Sequence, residues 1–485
     1  MSTNLDLLAR LLAYRDGRAQ RRASHCQVAI HPEARVVCPL AMAGEDTTIH
    51  IVACGPIGGP PRVLCVPDPR KRDPQFDLFA RLGADWARWF EGCRRAGTYP
   101  QLWVSSGAAA SHLDVLADRL RYNRLRPDVK RFGELLSYAT GRLPIAGQQA
   151  LITATGALAR HWATGQQAGE DEHLGAVLAW IEPPAGVPVM EAVAAAELEP
   201  MGAKTDPAFD EHTLEPLVRA YTDAARSGAP TAVLDRHAAN VQAALEPVVL
   251  RIYAATQRAI AVLQAAGLPP LLDLPALEAR EAAEFESFVR VLGRDRGWPL
   301  ALRDGPKAAA FGLATREDAL QTAGAAVLLG DRVARAGGRL AGRVVVGTVE
   351  SPASVRVAPY RVVHRFELVS RQPVLHVRVR DELCRADDGR LRVLVERVQR
   401  RGAETRLSLR LVTGQRAVGL LAAGMELEFV AGRPNWDAIW RVRGHLKTAL
   451  AARPWTHTPG ALPAPTPVAT TPPPADPLAL VEALR

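Results

Sequence analysis

Asp68, Asp73 and Asp77 follow one another at intervals of five and four residues in "CGPIGGPPRVLCVPDPRKRDPQFD". Carboxylates at the end of a strand are what a metal-dependent hydrolase or nuclease uses to hold its cation. A nuclease of the restriction type also needs Glu-x-Lys or Asp-x-Lys on the next strand, and the next strand-like run, "QLWVSS", has neither. These acids therefore read as turn and cap residues. A second cluster, "HWATGQQAGEDEHLGA", collects His161, Glu170, Asp171, Glu172 and His173. Its spacing lacks the i, i+4 histidines of H-E-x-x-H. Acids at 170–172 instead sit where a helix begins, and there they complement its dipole. Ser105, Ser106 and Ser111 lie near His112, but a nucleophile also needs a positioned base and oxyanion donors.

Nucleotide chemistry fares no better. "GPIGGPP" lacks a Lys-Ser/Thr ending, and its prolines remove backbone donors from a phosphate loop. "MGAKT" at 201–205 has Lys-Thr without the upstream glycine or the preceding strand. Nothing in the chain calls for a cofactor or a metal.

Charge offers more. Of 60 basic residues only five are lysine, leaving 55 arginines, and the formal net charge is +9. Arginine is raised along the whole chain, so its abundance alone says little. Its distribution says more: residues 331–450 hold 23 Lys plus Arg against 12 Asp plus Glu, a net of +11, so the remainder sums to −2. A local excess of this kind is the footprint of a polyanion-binding domain.

Within that region, "GRLRVLVERVQRRGAETRLSLRLV" (389–412) alternates apolar residues with arginines. Folded as a hairpin whose paired numbers sum to 802, it sets Leu391, Val393 and Val395 against Leu411, Leu409 and Leu407 on one face. The other face then pairs Arg392 with Arg410, Leu394 with Ser408, and Glu396 with Arg406. "VLHVRVR" reads as a third strand presenting His376, Arg378 and Arg380. Adjacent strands of this kind would gather Arg378, Arg380, Arg390, Arg392, Arg406 and Arg410 into a nucleic-acid-binding patch, whose mutual repulsion phosphate would relieve. Aromatic stacking platforms are scarce, with Tyr360, Phe366 and Phe429 the aromatics in these strands.

The elements that would hold these residues define an α+β multidomain chain. Residues 1–23 suggest an amphipathic helix, without the uncharged core of a secretion signal. Residues 24–110 read as a small α/β unit with strands in "ARVVCPLAMA", "TTIHIVACGPI", "RVLCVPD" and "PQLWVSS". Between them lies a helix capped by Asp73 with Pro74 in its first turn. Its Trp86 and Trp89, like Trp436 and Trp440 near the other end, are spaced as a core face. From 111 to 337 the period is helical, beginning with a capping box at Ser111 and Asp114. The longest helix, 231–267, would span roughly 55 Å, with Pro247 as a kink point. Residues 338–452 return to a period of two, a small all-β barrel or sandwich with a closing helix. Nine prolines between 454 and 477 mark an extended spacer over 453–476. The chain closes on a short helix, 477–485, whose Leu478, Val481 and Leu484 could seat in a partner's groove.

Six dispersed cysteines without a C-x-x-C pair fit buried, reduced thiols, and no run of about 18 uncharged apolar residues suggests a membrane span. The reading is a cytoplasmic, bacterial-type, non-enzymatic adaptor. It would bind nucleic acid through the basic β-domain and a protein partner through the tethered C-terminal helix. The rival is a metal-dependent hydrolase or nuclease working at 68–77 or 161–173.

Overall fold

The computed structural model describes residues 3–292, 306–358, 361–387, 391–413 and 421–431. Contacts divide the chain into two units, Met1–Leu300 with Thr315–Asn435, and Ala301–Ala314 with Trp436–Arg485. The elements that position the candidate sites belong to the first.

Five strands form its central sheet: β1 (Arg35–Leu40), β2 (Ile51–Pro56), β3 (Arg62–Cys65), β4 (Leu102–Val104) and β5 (Leu151–Thr153). Their order is β3-β2-β1-β4-β5. β1, β2 and β3 pair antiparallel as a meander, whereas β1–β4 and β4–β5 pair parallel. Strand alternation sends neighbouring side chains to opposite faces, and both faces of β1 are apolar and covered. Val37, Val52, Leu102, Val104 and Leu151 face the helices α2 (Arg72–Arg95), α3 (Gly107–Leu120) and α4 (Pro127–Thr140). Val36, Cys38, Leu40, Ile51, Trp103 and Ile152 face α5 (Ala154–His161), α6 (Leu174–Ile181) and α7 (Thr231–Ala265). The result is a three-layer α/β/α arrangement.

Local chemistry explains the element limits, and some differ from expectation. α2 begins at Arg72 rather than after an Asp73 cap, and its N-cap Lys71 makes no side-chain cap bond. Pro74 is tolerated because first-turn N–H groups have no helical partner to lose. α3 begins four residues before Ser111: the Ser106 hydroxyl accepts from Ala109 N, so Ser106 is the cap. β5 is a correction of kind, since the sequence placed it in a helix; three residues completely surrounded by apolar layers carry no alternation to read. Trp86 and Trp89 are core residues, 1% and 6% exposed. Trp436 and Trp440 lie outside the described residues. The cysteines within them form no disulfide with one another, and Cys38, Cys54, Cys93 and Cys384 are buried. No helix among the described residues is long and apolar enough to cross a membrane.

The first helix, α1 (Thr3–Asp16), presents its apolar stripe outward, with Leu7, Leu8, Leu11 and Tyr14 all exposed. What docks it is polar: Arg10 reaches Asp171 at 2.7 Å and Thr164 at 3.1 Å.

After helices α8 (Leu274–Leu292), α9 (Pro306–Gly330) and α10 (Arg332–Leu340) come six antiparallel strands: β6 (Val344–Ala358), β7 (Arg361–Ser370), β8 (Glu382–Arg385), β9 (Arg392–Arg401), β10 (Glu404–Thr413) and β11 (Glu426–Ala431). Each pairs with two others in the order β8-β9-β10-β7-β6-β11, which returns to β8 and closes the barrel. Its interior is filled by Val345, Phe366, Leu368, Leu383, Val393, Val395, Leu407, Leu409 and Phe429.

Candidate nucleic-acid interface

The β9–β10 hairpin keeps the predicted faces and changes the predicted partners. Val393 stands opposite Leu411 and Val395 opposite Leu409, two residues away from the expected register. A shift of two preserves the side-chain alternation, so Leu391, Val393, Val395, Leu407, Leu409 and Leu411 are all buried. At Glu396 the ladder slips by one: Arg397 stands opposite Ser408 and Val398 opposite Leu407. This bulge re-aims the second half of β9. A two-residue turn closes the hairpin, with Gly402 at φ +58° in its first position and Arg401 opposite Glu404.

The expected pairs Arg392 with Arg410 and Glu396 with Arg406 are therefore not formed. Arg392 instead makes an ion pair of 2.6 Å with Glu382 on β8. Glu396 bridges Arg410 at 2.9 Å and Arg365 at 2.8 Å. Arg406 pairs with Glu350 across the barrel wall, and that hydrogen bond raises its pKa. Three of the predicted arginines are thus already matched to carboxylates. Arg390, like Leu478, Val481 and Leu484, lies outside the described residues.

The third predicted strand is not one. β8 starts only at Glu382, and 375–381 is an irregular segment held along β9. Arg380 N donates to Val395 O (2.8 Å), Val395 N to Asp381 O (2.9 Å), and the Arg400 guanidinium to Leu375 O (3.0 Å). The segment thus continues along β9 where β8 leaves off. It buries Leu375 and Val377 and leaves Arg378, Val379 and Arg380 exposed. Asp381 accepts from the backbone N–H of Arg378 (2.7 Å), closing a turn that holds Arg380 at φ +79°. Among the described residues Arg380 is the non-glycine with a positive φ, a conformation that costs of order 1–3 kcal/mol and is enriched at functional sites.

Two adjacent segments, 375–381 and 395–401, therefore carry five exposed arginines: Arg378, Arg380, Arg397, Arg400 and Arg401. None of the five forms an ion pair among the described residues, whereas Arg335, Arg339, Arg365, Arg371, Arg385, Arg392, Arg406 and Arg410 of the same domain all do. Arg397 meets only the Gln399 amide. Arg397 was missed because regular alternation puts it on the inner face with Val393 and Val395, and Arg400 and Arg401 because pairs summing to 802 place them in the turn, whereas the observed turn is Gly402 and Ala403. The signal was present, however: the apolar spacing 393, 395, 398 breaks the period of two where the bulge falls. Phe366 and Phe429 are buried against each other with ring centroids 6.2 Å apart, so neither is a stacking platform. Tyr360 lies outside the described residues.

The rival clusters are dispersed and used locally. Asp68 accepts from Arg70 N (3.1 Å) and from Thr222 (3.0 Å), Asp73 lies in the first turn of α2, and Asp77 faces Arg126 at 3.3 Å. His161 is completely buried: Nε2 accepts from Gln27 N (3.0 Å), Nδ1 donates to Ala157 O (2.7 Å), and desolvation lowers its pKa to about 4. Glu170 accepts from Gln167 N, Asp171 holds Arg10, Glu172 caps Gly107 N, and His173 caps Ala176 N. Among the described residues no group of three or more His, Cys, Asp or Glu could hold a metal ion. Ser105 and Ser106 fall between β4 and α3, where Ser106 serves as the cap, and Ser111 and His112 lie within α3.

Compared with known protein families, with curated proteins and with solved structures, the chain matches none.

Proposed function

We propose that this protein is a non-catalytic scaffold whose β-barrel holds the phosphate backbone of nucleic acid. The observation that carries the reading is the set of five exposed arginines on the adjacent segments 375–381 and 395–401, none in an ion pair among the described residues, whereas Arg392, Arg406 and Arg410 of the same barrel face carboxylates. A guanidinium without an internal counter-ion recruits solution anions, and phosphate binding releases them. Guanidinium forks suit phosphate oxygens in two-pronged contacts. Sequence-independent binding is the form this chemistry favours, because no base-reading element accompanies the patch. The buried Phe366 and Phe429 favour duplex over single strand, which usually needs stacked bases.

The test is fluorescence anisotropy with a labelled random 20-base-pair duplex and the matching single strand, titrated with salt. If about four arginines engage, the duplex should show a log–log salt slope near −0.9 per phosphate, roughly −3.6. Arg397→Gln/Arg401→Gln should weaken binding by about tenfold or more and flatten the slope by about two. Arg392→Gln/Arg410→Gln, whose guanidiniums face Glu382 and Glu396, should change affinity by less than threefold. Absence of binding at low salt, or equal losses in the two double variants, overturns the reading.

A further inference from the structure

A second set of cations lies elsewhere, in a cavity of about 430 Å³ between the α/β layers and helices α9 and α10, which lead into the barrel. This volume falls within the ~300–1,000 Å³ typical of small-molecule sites. The walls are mostly apolar and include Leu277 and Leu328, and the polar lining is Arg22, Gln27, Arg160 and Arg343. None of the described lining residues is acidic.

Arg22 has its counter-ion in Asp6, at 2.9 Å. Arg160 and Arg343 form no ion pair among the described residues. Arg160 spends Nε on Gly156 O (3.1 Å), and its two terminal nitrogens make no hydrogen bond there. Its side chain is exposed, as is that of Arg343, so both guanidiniums can be reached at the mouth of the cavity. Arg343 lies over Gly324 so closely that a methyl group there would stand 3.0 Å from its Nη2. A guanidinium with no carboxylate beside it keeps its fork of donors free for the oxygens of a soluble anion. Here the protein supplies apolar walls and two guanidiniums and leaves the anion to come from outside.

We infer that this cavity binds a small organic anion, a carboxylate or phosphate monoester carried on an apolar body. Arg160 and Arg343 are its counter-ions, and the leucine walls take the apolar part. The inference is independent of the barrel patch, which lies on other residues.

Isothermal titration of the full chain with octanoate, with octyl phosphate and with neutral 1-octanol tests it. One anion or both should bind saturably at one per chain, the tighter of the two naming the headgroup, and octanol should bind at least tenfold more weakly. Arg160→Met and Arg343→Met should each weaken the anion at least tenfold, while the surface variant Arg226→Met leaves it unchanged. Should either cavity variant misfold, hydrogen exchange on the wild type replaces it: octanoate or octyl phosphate should slow exchange in 146–160 and 332–341. No saturable anion binding, octanol binding as tightly, folded Met variants that bind like wild type, or unaltered exchange in those segments each overturns the inference.

Discussion

Acidification should unfold this protein through two histidines that the fold keeps neutral. His161 is fully buried with Nε2 accepting from Gln27 N–H, so a proton on Nε2 would both charge a desolvated ring and break that bond. His50 is equally buried, and burial brings each from 6.5 to about 4. A depressed histidine leaves stability intact above its unfolded pKa and removes it as pH falls toward the folded one. The window is therefore pH 6.5 down to 4. At about 1.36 kcal/mol per pH unit, each ring should cost about 2 kcal/mol at pH 5, about 4 kcal/mol for the pair, and about 3 kcal/mol each at the bottom of the window. Urea unfolding followed by tryptophan fluorescence at pH 7.5 and 5.0 measures the loss. His161→Gln, whose amide oxygen can still accept from Gln27, should remove roughly half of the acid sensitivity while costing little at pH 7.5. If wild type and His161→Gln lose the same stability between those pH values, the buried neutral ring is not the cause.

Three further outcomes are expected. Gly133→Ala would place its Cβ 2.3 Å from Arg121 N and 2.6 Å from Leu120 C, backbone atoms that cannot yield, so the α3–α4 contact should open at a cost of about 3 kcal/mol or more in urea. Glu281 is 1% exposed, forms an ion pair with Arg142 (2.7 Å), and accepts from Arg142 Nη2 (3.4 Å), Tyr138 OH (3.2 Å) and Gln149 N (3.2 Å). Glu281→Leu leaves the half-buried Arg142 with only Glu284 at 3.8 Å and removes the acceptor of Tyr138 OH and Gln149 N, so it should cost about 3 kcal/mol, seen as a lower urea midpoint. Arg380→Gly relieves the positive φ and deletes one patch cation, so the melting temperature should rise while duplex affinity falls about twofold to fivefold.

How much of this could be read beforehand depends on what a side chain must do to hold its place. The barrel was legible because Leu391, Val393 and Val395 and Leu407, Leu409 and Leu411 have to point inward whatever their partners are. The register was not, because Leu opposite Leu at a sum of 802 satisfies the pattern as well as Val395 opposite Leu409. Only the turn geometry at Gly402 and the bulge at Glu396 decide between them. "VLHVRVR" alternates like a strand, yet only Leu375 and Val377 need burial, and a loop lying on β9 provides it. β5 was hidden for the opposite reason: Leu151 and Ile152 are buried on both faces, and a three-residue run cannot display a period. The Ser111–Asp114 spacing pointed to a cap at Ser111, but β4 ends at Val104 and the helix starts directly after it, with Ser106 as the cap.

In a chain with 55 arginines, composition cannot separate a binding surface from a solvated one. Carboxylate supply can. A solvent-accessible ion pair contributes only about 0–1 kcal/mol to stability, so Glu396 and Glu350 do little to hold the barrel closed, whereas the Glu382 side chain is only 6% exposed. All three act on ligands, since a phosphate approaching Arg392, Arg410 or Arg406 must displace a carboxylate and releases fewer counterions in doing so. Arg397 and Arg401 impose no such exchange. Replacing either pair of arginines by glutamine changes the net charge equally, so a difference in duplex affinity between the two double variants reports the local arrangement rather than the total charge. The position of acids, more than the number of bases, then decides where this barrel is basic.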